Sequence, residues 1–489
     1  MDLRPVGLFV AALLCAAVAV AVAQTAGSPA GPEDESPEAL ARSIFQELIE
    51  INTTDSVGNV TTAAEAMAKR LRAAGFPDSD LALLGPNARK KNLVVRLHGT
   101  GQHMFTPGPR PVLLIGHLDV VEARREDWST DPFKLIEKDG YFYGRGTQDM
   151  KDGDAIMVTT LIRMKKTGFR PNRDIILALT ADEEGGSANG VDWLLKQHRD
   201  LVDAAFVINH DGSSIVTEHG KPQYYELDGT EKIYGDFQLM VTNPGGHSSL
   251  PVPDNAIYAL ADGLARLEKY EFPFELNTVT RGYYEQMATI ETGQRAADMK
   301  AILRTPPDAA AIGRLAKDPT DHSIMHTTCV ATRLEGGHAN NALPQRAAAV
   351  VNCRILPGHS PEEVRRELVR IVADPRITIK WIDDNGQVQD KASDRKGYPP
   401  PPLQPEIMQP LAALVSQDWP GLTVVPNMSA GASDGVFTSA AGMPTYTITG
   451  IAIDRDDVRA HGRDERLGVE SFYKGNEFFY QYLRTLTGS

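Results

Sequence analysis

The segment Pro111-Val-Leu-Leu-Ile-Gly-His-Leu-Asp119 decides how this chain is read. It is a continuous apolar run followed at once by a histidine and, two residues on, an aspartate. A run with no polar alternation suits a strand covered on both faces, as in a parallel sheet packed between helices. Such sheets place functional residues just beyond the carboxyl ends of their strands. The same grammar recurs twice: a strand-like run at 174–180 precedes Ala181-Asp-Glu-Glu-Gly-Gly186, and another at 204–209 precedes His210-Asp-Gly212.

Working outward, helix patterns at 37–52, 61–75, 153–166 and 189–199 interleave with these strands and with a further one at 92–98. Alternating strands and helices predict an α/β catalytic domain with a mostly parallel central sheet. The texture changes near residue 230, where Asp236–Thr242 alternates like a half-buried strand. A helix at 254–269, strands at 326–334 and 347–355, a helix at 360–373 and a strand at 377–381 follow. The second of these helices is opened by Ser360-Pro-Glu-Glu, with Pro361 at its first position. Residues 271–325 show no clear period. The expected organisation is a discontinuous catalytic domain, 24–230 and 396–489, around an α+β insert at 231–395, with a Pro-rich stretch at 397–405 leading back.

At 489 residues, two domains are the natural expectation. A formal net charge of −14 argues against nucleic acid and anionic membranes as partners. Arg4, the apolar run Val6–Val22 and Ala21-Val-Ala23 before Gln24 read as a signal peptide, residues 1–23, cleaved after Ala23. Export to a periplasm or the exterior is therefore expected, with no stable membrane insertion after cleavage; an uncleaved anchor is the alternative. Cys329 and Cys353 both fall in strand-like segments, and either a disulfide or two buried thiols suits them. No CxxC is present, which argues against cysteine-bound zinc.

The chemistry concentrates in His117, Asp149, Glu184, Asp211 and His461. Two histidines and three carboxylates form an N/O donor set suited to zinc, and less selectively to manganese or cobalt. Five donors exceed one tetrahedral site but suit two metals if one carboxylate, Asp149 in Gly144-Arg-Gly-Thr-Gln-Asp-Met-Lys151, bridges them. Asp119 is placed to accept the second N–H of His117 and fix its tautomer. Glu183, beside Glu184, is free to serve as general base.

These segments resemble the co-catalytic zinc amidohydrolases and exopeptidases, the family of aminoacylase-1, carboxypeptidase G, the vacuolar Gly-X carboxypeptidase and succinyl-diaminopimelate desuccinylase. The matching motifs include Gly116–Val121, Trp128–Phe133, Gly144–Lys151, Asp182–Gly186, Gly245-Gly-His-Ser-Ser249, Asn341–Pro344, Arg354–Pro357, Ser433–Gly435 and His461–Glu465. The resemblance implies two Zn2+ per chain, Mn2+ or Co2+ being substitutes. His117 and Asp211 would hold one, Glu184 and His461 the other, with Asp149 between them. It implies Glu183 as general base and donor to the leaving amine. It makes the insert a lid and dimerisation domain whose His247 reaches the partner's active site and stabilises an oxyanion. Asn341 and Arg354 would contact substrate, the guanidinium pairing with an α-carboxylate, and Asp434 and Glu465 would support the ligands. Relatives usually carry Glu at position 211, so His210 is a conceivable substitute. Glu122 replaces a family proline and Asp152 a family glycine.

The expected activity is a secreted carboxypeptidase-like zinc exopeptidase acting on short peptides. An N-acyl-amino-acid amidohydrolase is the second reading. A non-catalytic binding protein on the same fold is the third, and it would predict loss of Glu183 or of ligands that are all present.

Overall fold

The strand Val112–His117 is buried along its whole length, and in the computed structural model it lies between two parallel neighbours, Ile175–Thr180 and Phe206–Asn209. The structure describes residue 1 and residues 36–101, 108–212, 214–383, 386–394, 396, 400 and 402–488. Apart from Met1, the expected signal peptide at 1–23 lies outside the described residues. Among the described residues no helix is long and apolar enough to cross a membrane.

The three parallel strands form the centre of a ten-stranded mixed sheet. Thr445–Thr447 continues it in parallel beside Phe206–Asn209. Asn92–Leu97 closes the other side antiparallel to Ile175–Thr180. Register puts His117 opposite Thr180 and Ile115 opposite Asn209, so the three strands end at one edge. Gly116 permits this packing: a Cβ there would stand 2.5 Å from Asp154 Oδ1 and 2.6 Å from Met157 Cε on the helix Lys151–Lys166.

A second, five-stranded antiparallel sheet is built from Thr328–Gly336, Arg346–Ile355, Ile233–Thr242, Thr378–Ile382 and Val388–Gln389. The helices Ala256–Glu268 and Pro361–Val372 pack with it around their own apolar core, which includes Phe237, Leu260, Val351 and Leu368. The Ser360 signal is realised as a capping box. Glu363 N–H donates to Ser360 Oγ at 3.2 Å, and Ser360 N–H donates to Glu363 Oε2 at 2.9 Å. Antiparallel pairing sets Cys329 opposite Cys353, and the two are joined as a disulfide.

The stretch without a clear period, 271–325, contains four helices: Thr278–Ile290, Gly293–Ile302, Ala309–Leu315 and Pro319–Met325. They share a core with Val425 and Met428 of the main sheet. Each is short, and their buried faces mix residues such as Tyr284, Met299 and Met325 with buried Thr280, Asp298 and Asp321. Three begin at side-chain caps, Asn277, Asp308 and Asp318.

Candidate metal centre

Asp149 lies at the centre of the cluster. Its Oδ1 is 3.2 Å from His117 Nε2 and its Oδ2 is 3.0 Å from His461 Nε2. His461 Nε2 is also 2.8 Å from Glu184 Oε2. Ligand atoms of His117, Asp149 and Glu184 all lie within 4.8 Å of one another. Glu183 stands at the side, its Oε2 3.8 Å from His117 Nε2. Asp211 is near enough for its charge to act on His117 and Glu183. His210 turns away: its ring packs edge-on against Phe479, 4.7 Å between centroids, with both nitrogens buried and unpartnered.

The sequence suggested that the Asp119 carboxylate would orient His117. The geometry differs. His117 Nδ1 donates to the Asp119 backbone carbonyl at 3.0 Å, while the nearer carboxylate oxygen is 3.9 Å away. A carbonyl can only accept, so Nδ1 carries a proton, and Nε2 is the ring atom left facing the carboxylates. The Asp119 carboxylate instead accepts the backbone N–H groups of Glu183 at 3.2 Å and Glu184 at 3.0 Å. It therefore holds the turn that carries both glutamates.

The electrostatics are those of a site short of positive charge. Burial would lower the His117 pKa, but Asp149, Glu183, Asp119 and Asp211 together raise it well above its ordinary value. His461 is pushed up to about 10 by its contacts to Asp149 and Glu184. Asp211 is pushed up to about 7 by burial and then by the charge of Asp149. Burial likewise raises Glu183, against the pull of His117. Buried His117 Nε2 and Glu184 Oε1 have no hydrogen-bond donor or acceptor to satisfy them. Converging carboxylates, two imidazole Nε2 atoms that face them and orphaned buried polar atoms fit divalent metal better than protons.

The loops that carry Asp149 and His461 are joined by one ion pair. Glu465, fully buried, accepts the backbone N–H groups of Gly146 (3.2 Å), Gln148 (2.7 Å) and Asp149 (3.2 Å). It also pairs with Arg145. Arg145 in turn donates to the carbonyls of His461 at 3.4 Å and Gly462 at 3.1 Å, and lies over the Trp128 ring. Gly146 takes φ 91° in this loop, a conformation that favours glycine. Arg145 was not singled out from the sequence; the arginine between two glycines was its only signal. Glu465→Gln is expected to cost about 3 kcal/mol of stability in denaturant unfolding, because it leaves a buried guanidinium without its counter-charge. Unchanged stability would refute this anchoring role.

Asp434 accepts from Thr180 Oγ1 at 3.2 Å and Asn189 Nδ2 at 2.6 Å, tying a strand end to a helix cap. Glu122 receives Ser56 N–H at 3.0 Å and its hydroxyl at 2.9 Å. Asp152 is buried, which raises its carboxyl well above the usual range.

His247 and Asn341 come together on a second ladder. His247 pairs with Ala342, and Ser248 N–H donates to the Asn341 carbonyl at 3.1 Å. His247 Nδ1 accepts Ser249 N–H at 3.2 Å, which leaves Nε2–H to donate outward. Arg354 lies over the Tyr234 ring at 4.8 Å. Among the described residues, no carboxylate pairs with Arg354, and no hydrogen bond or ion pair links His247, Asn341 or Arg354 to the metal-ligand cluster.

Residues 113–485 match the family model described as Peptidase family M20/M25/M40. The chain is 29% identical over 400 residues to the human N-fatty-acyl-amino acid synthase/hydrolase PM20D1, covering 78% of this chain and 76% of that protein. It is 26% identical over 383 residues to a probable carboxypeptidase S-like 2 of Dictyostelium discoideum, covering 77% and 71%. Among solved structures it resembles the M20 family metallo-carboxypeptidase Sso-CP2 from Sulfolobus solfataricus, with a TM-score of 0.67, 17% identity and coverage of 91% and 99%.

Proposed function

The chain belongs to peptidase family M20/M25/M40, hydrolases of amide and peptide bonds, and on that premise we propose that it removes an amino acid bearing a free α-carboxylate from the acyl group on its nitrogen. The observation that carries this is Asp149, whose two oxygens face two different imidazoles. His117 and Asp211 would hold one Zn2+, Glu184 and His461 the other, and Asp149 both, with Mn2+ or Co2+ as substitutes. Bound there, the ions would supply an acidified water and polarise the substrate carbonyl. Glu183 takes the proton of the attacking water and passes it to the departing nitrogen as the C–N bond breaks. The acyl carbon gains the hydroxyl, and a free amine leaves.

The acyl side distinguishes two substrate classes. The human relative's name favours an N-acyl amino acid. The Dictyostelium relative's name favours a peptide, which would make the enzyme a carboxypeptidase. Both place a carboxylate on the leaving residue, and Arg354, without an ion-pair partner among the described residues, is the cation proposed to receive it. His247, with Nε2–H directed outward, is proposed to serve a partner's oxyanion across a homodimer of the lid domain, and Asn341 beside it to contact substrate. A disulfide at Cys329–Cys353 supports secretion or a periplasmic location.

Dipeptides and N-acyl amino acids assayed side by side with Zn2+, and again with chelator, test the reading. Hydrolysis of at least one class, abolished by chelator, is expected. Arg354→Ala should raise KM about tenfold for substrates with a free carboxylate, with kcat little changed and carboxyl-amidated substrates unaffected. Equal loss on both substrate forms would remove Arg354 from the carboxylate site.

A further inference from the structure

A second group of metal-ligating side chains lies outside the centre described above: Glu271, His322 and His326, whose ligand atoms all fall within 4.8 Å of one another. His322 and His326 are four residues apart, on the helix Pro319–Met325 and at its carboxyl end. That spacing puts both rings on one face, with centroids 5.0 Å apart and planes within 29°.

His326 makes this more than a surface cluster. Its side chain is 3% exposed. Its Nδ1 lies 2.7 Å from the Phe272 carbonyl, an acceptor, so Nδ1 bears the proton and Nε2 the lone pair. That Nε2 is buried without a hydrogen-bond partner. It faces Glu271 Oε1 at 3.7 Å, and His322 Nε2 faces the same oxygen at 3.9 Å. Donors around a tetrahedral ion with bonds of about 2.0–2.1 Å stand roughly 3.3 Å apart, so small side-chain shifts would close the set. The backbone carbonyl that fixes the His326 tautomer is the arrangement typical of ligating histidines.

Other charges nearby are compatible. Lys232, whose Nζ lies 3.5 Å from Ser323 Oγ and 3.4 Å from Thr328 Oγ1, is brought down to about 7 by burial and by Arg354. His322 is lowered by burial, then by His326 and Lys232, against Glu271.

We propose that Glu271, His322 and His326 form a separate mononuclear site for a borderline transition-metal ion, Zn2+ or Co2+, with the fourth position open to water. Its place in the fold gives it a structural consequence. Glu271 sits between Tyr270 and Phe272, which pack on the core of the five-stranded sheet. His322 and His326 flank Ile324 and Met325, which belong to the core shared with the main sheet. A metal here would tie the two cores together across the junction, beside the hydrogen bond from Glu275 N–H to the Met325 carbonyl at 3.0 Å.

The test is metal content after equilibrium dialysis of the full chain against Zn2+, with Co2+ titration read by visible absorption. Glu271 is exposed and His322 partly so, and Glu271→Ala and His322→Ala are therefore expected to leave the fold intact, which circular dichroism checks. Each is expected to bind one equivalent of Zn2+ fewer than the parent. Each should also weaken one Co2+ affinity by more than about 100-fold, beyond the usual effect of outer-shell changes. Asp149→Ala should retain the equivalent that these variants lose. Folded Glu271→Ala and His322→Ala chains that bind as much Zn2+ as the parent, with unchanged Co2+ titrations, would overturn the proposal.

Discussion

Asp149→Ala is expected to weaken metal binding at both positions of the His117–His461 centre and to lower kcat/KM by about 10^4-fold, or about 5.5 kcal/mol of transition-state stabilisation. The argument rests on connectivity. His117 touches Asp149 through one carboxylate oxygen, and His461 touches it through the other. No other side chain faces both imidazoles in this way among the described contacts. Its loop does not depend on the carboxylate, because Glu465 holds the backbone of Gly146, Gln148 and Asp149. The variant should therefore fold. His117→Ala and His461→Ala should each weaken chiefly one position. Metal analysis of the three variants by equilibrium dialysis checks this, and one position retained at full affinity in Asp149→Ala would refute the bridge.

Glu183→Gln is expected to lower kcat by about 10^3- to 10^4-fold while leaving metal content and KM close to those of the parent. Glutamine keeps the volume and the turn, which the Asp119 carboxylate secures through the backbone of residues 183 and 184. What it loses is the ability to accept a proton from the attacking water. Glu184, one residue on, contacts His461, so Glu184→Gln should reduce metal content where Glu183→Gln does not. That contrast separates a base from a ligand. A Glu183→Gln chain that kept parental kcat would sink the assigned chemistry.

Much of the catalytic frame was legible because it is local. His117, Glu184 and Asp211 each follow an apolar run whose burial dictates a central strand, and parallel register then brings His117 and the residues after Thr180 and Asn209 to one edge. The capping box at Ser360 was readable for the same reason: the four residues 360–363 contain both of its hydrogen bonds. Long-range arrangements were not legible. Arg145 and Glu465 meet across 320 positions, and nothing in either segment announces the other. The role of Asp119 turned on whether carbonyl or carboxylate faces the imidazole, a matter of ångströms that His-x-Asp spacing leaves open. The helices of 278–325 were hidden because each is short and its buried face mixes apolar residues such as Tyr283, Met287, Ile302 and Met325 with buried Thr280, Asp298 and Asp321.

The most direct test of a metal-dependent amide hydrolase centred on Asp149 is hydrolysis measured on one sample before chelation, after verified metal removal, and after Zn2+ is restored. The account predicts activity that disappears on stripping and returns with Zn2+ in the parent chain but not in Asp149→Ala. Hydrolysis at the parental rate by protein verified to be metal-free would contradict it.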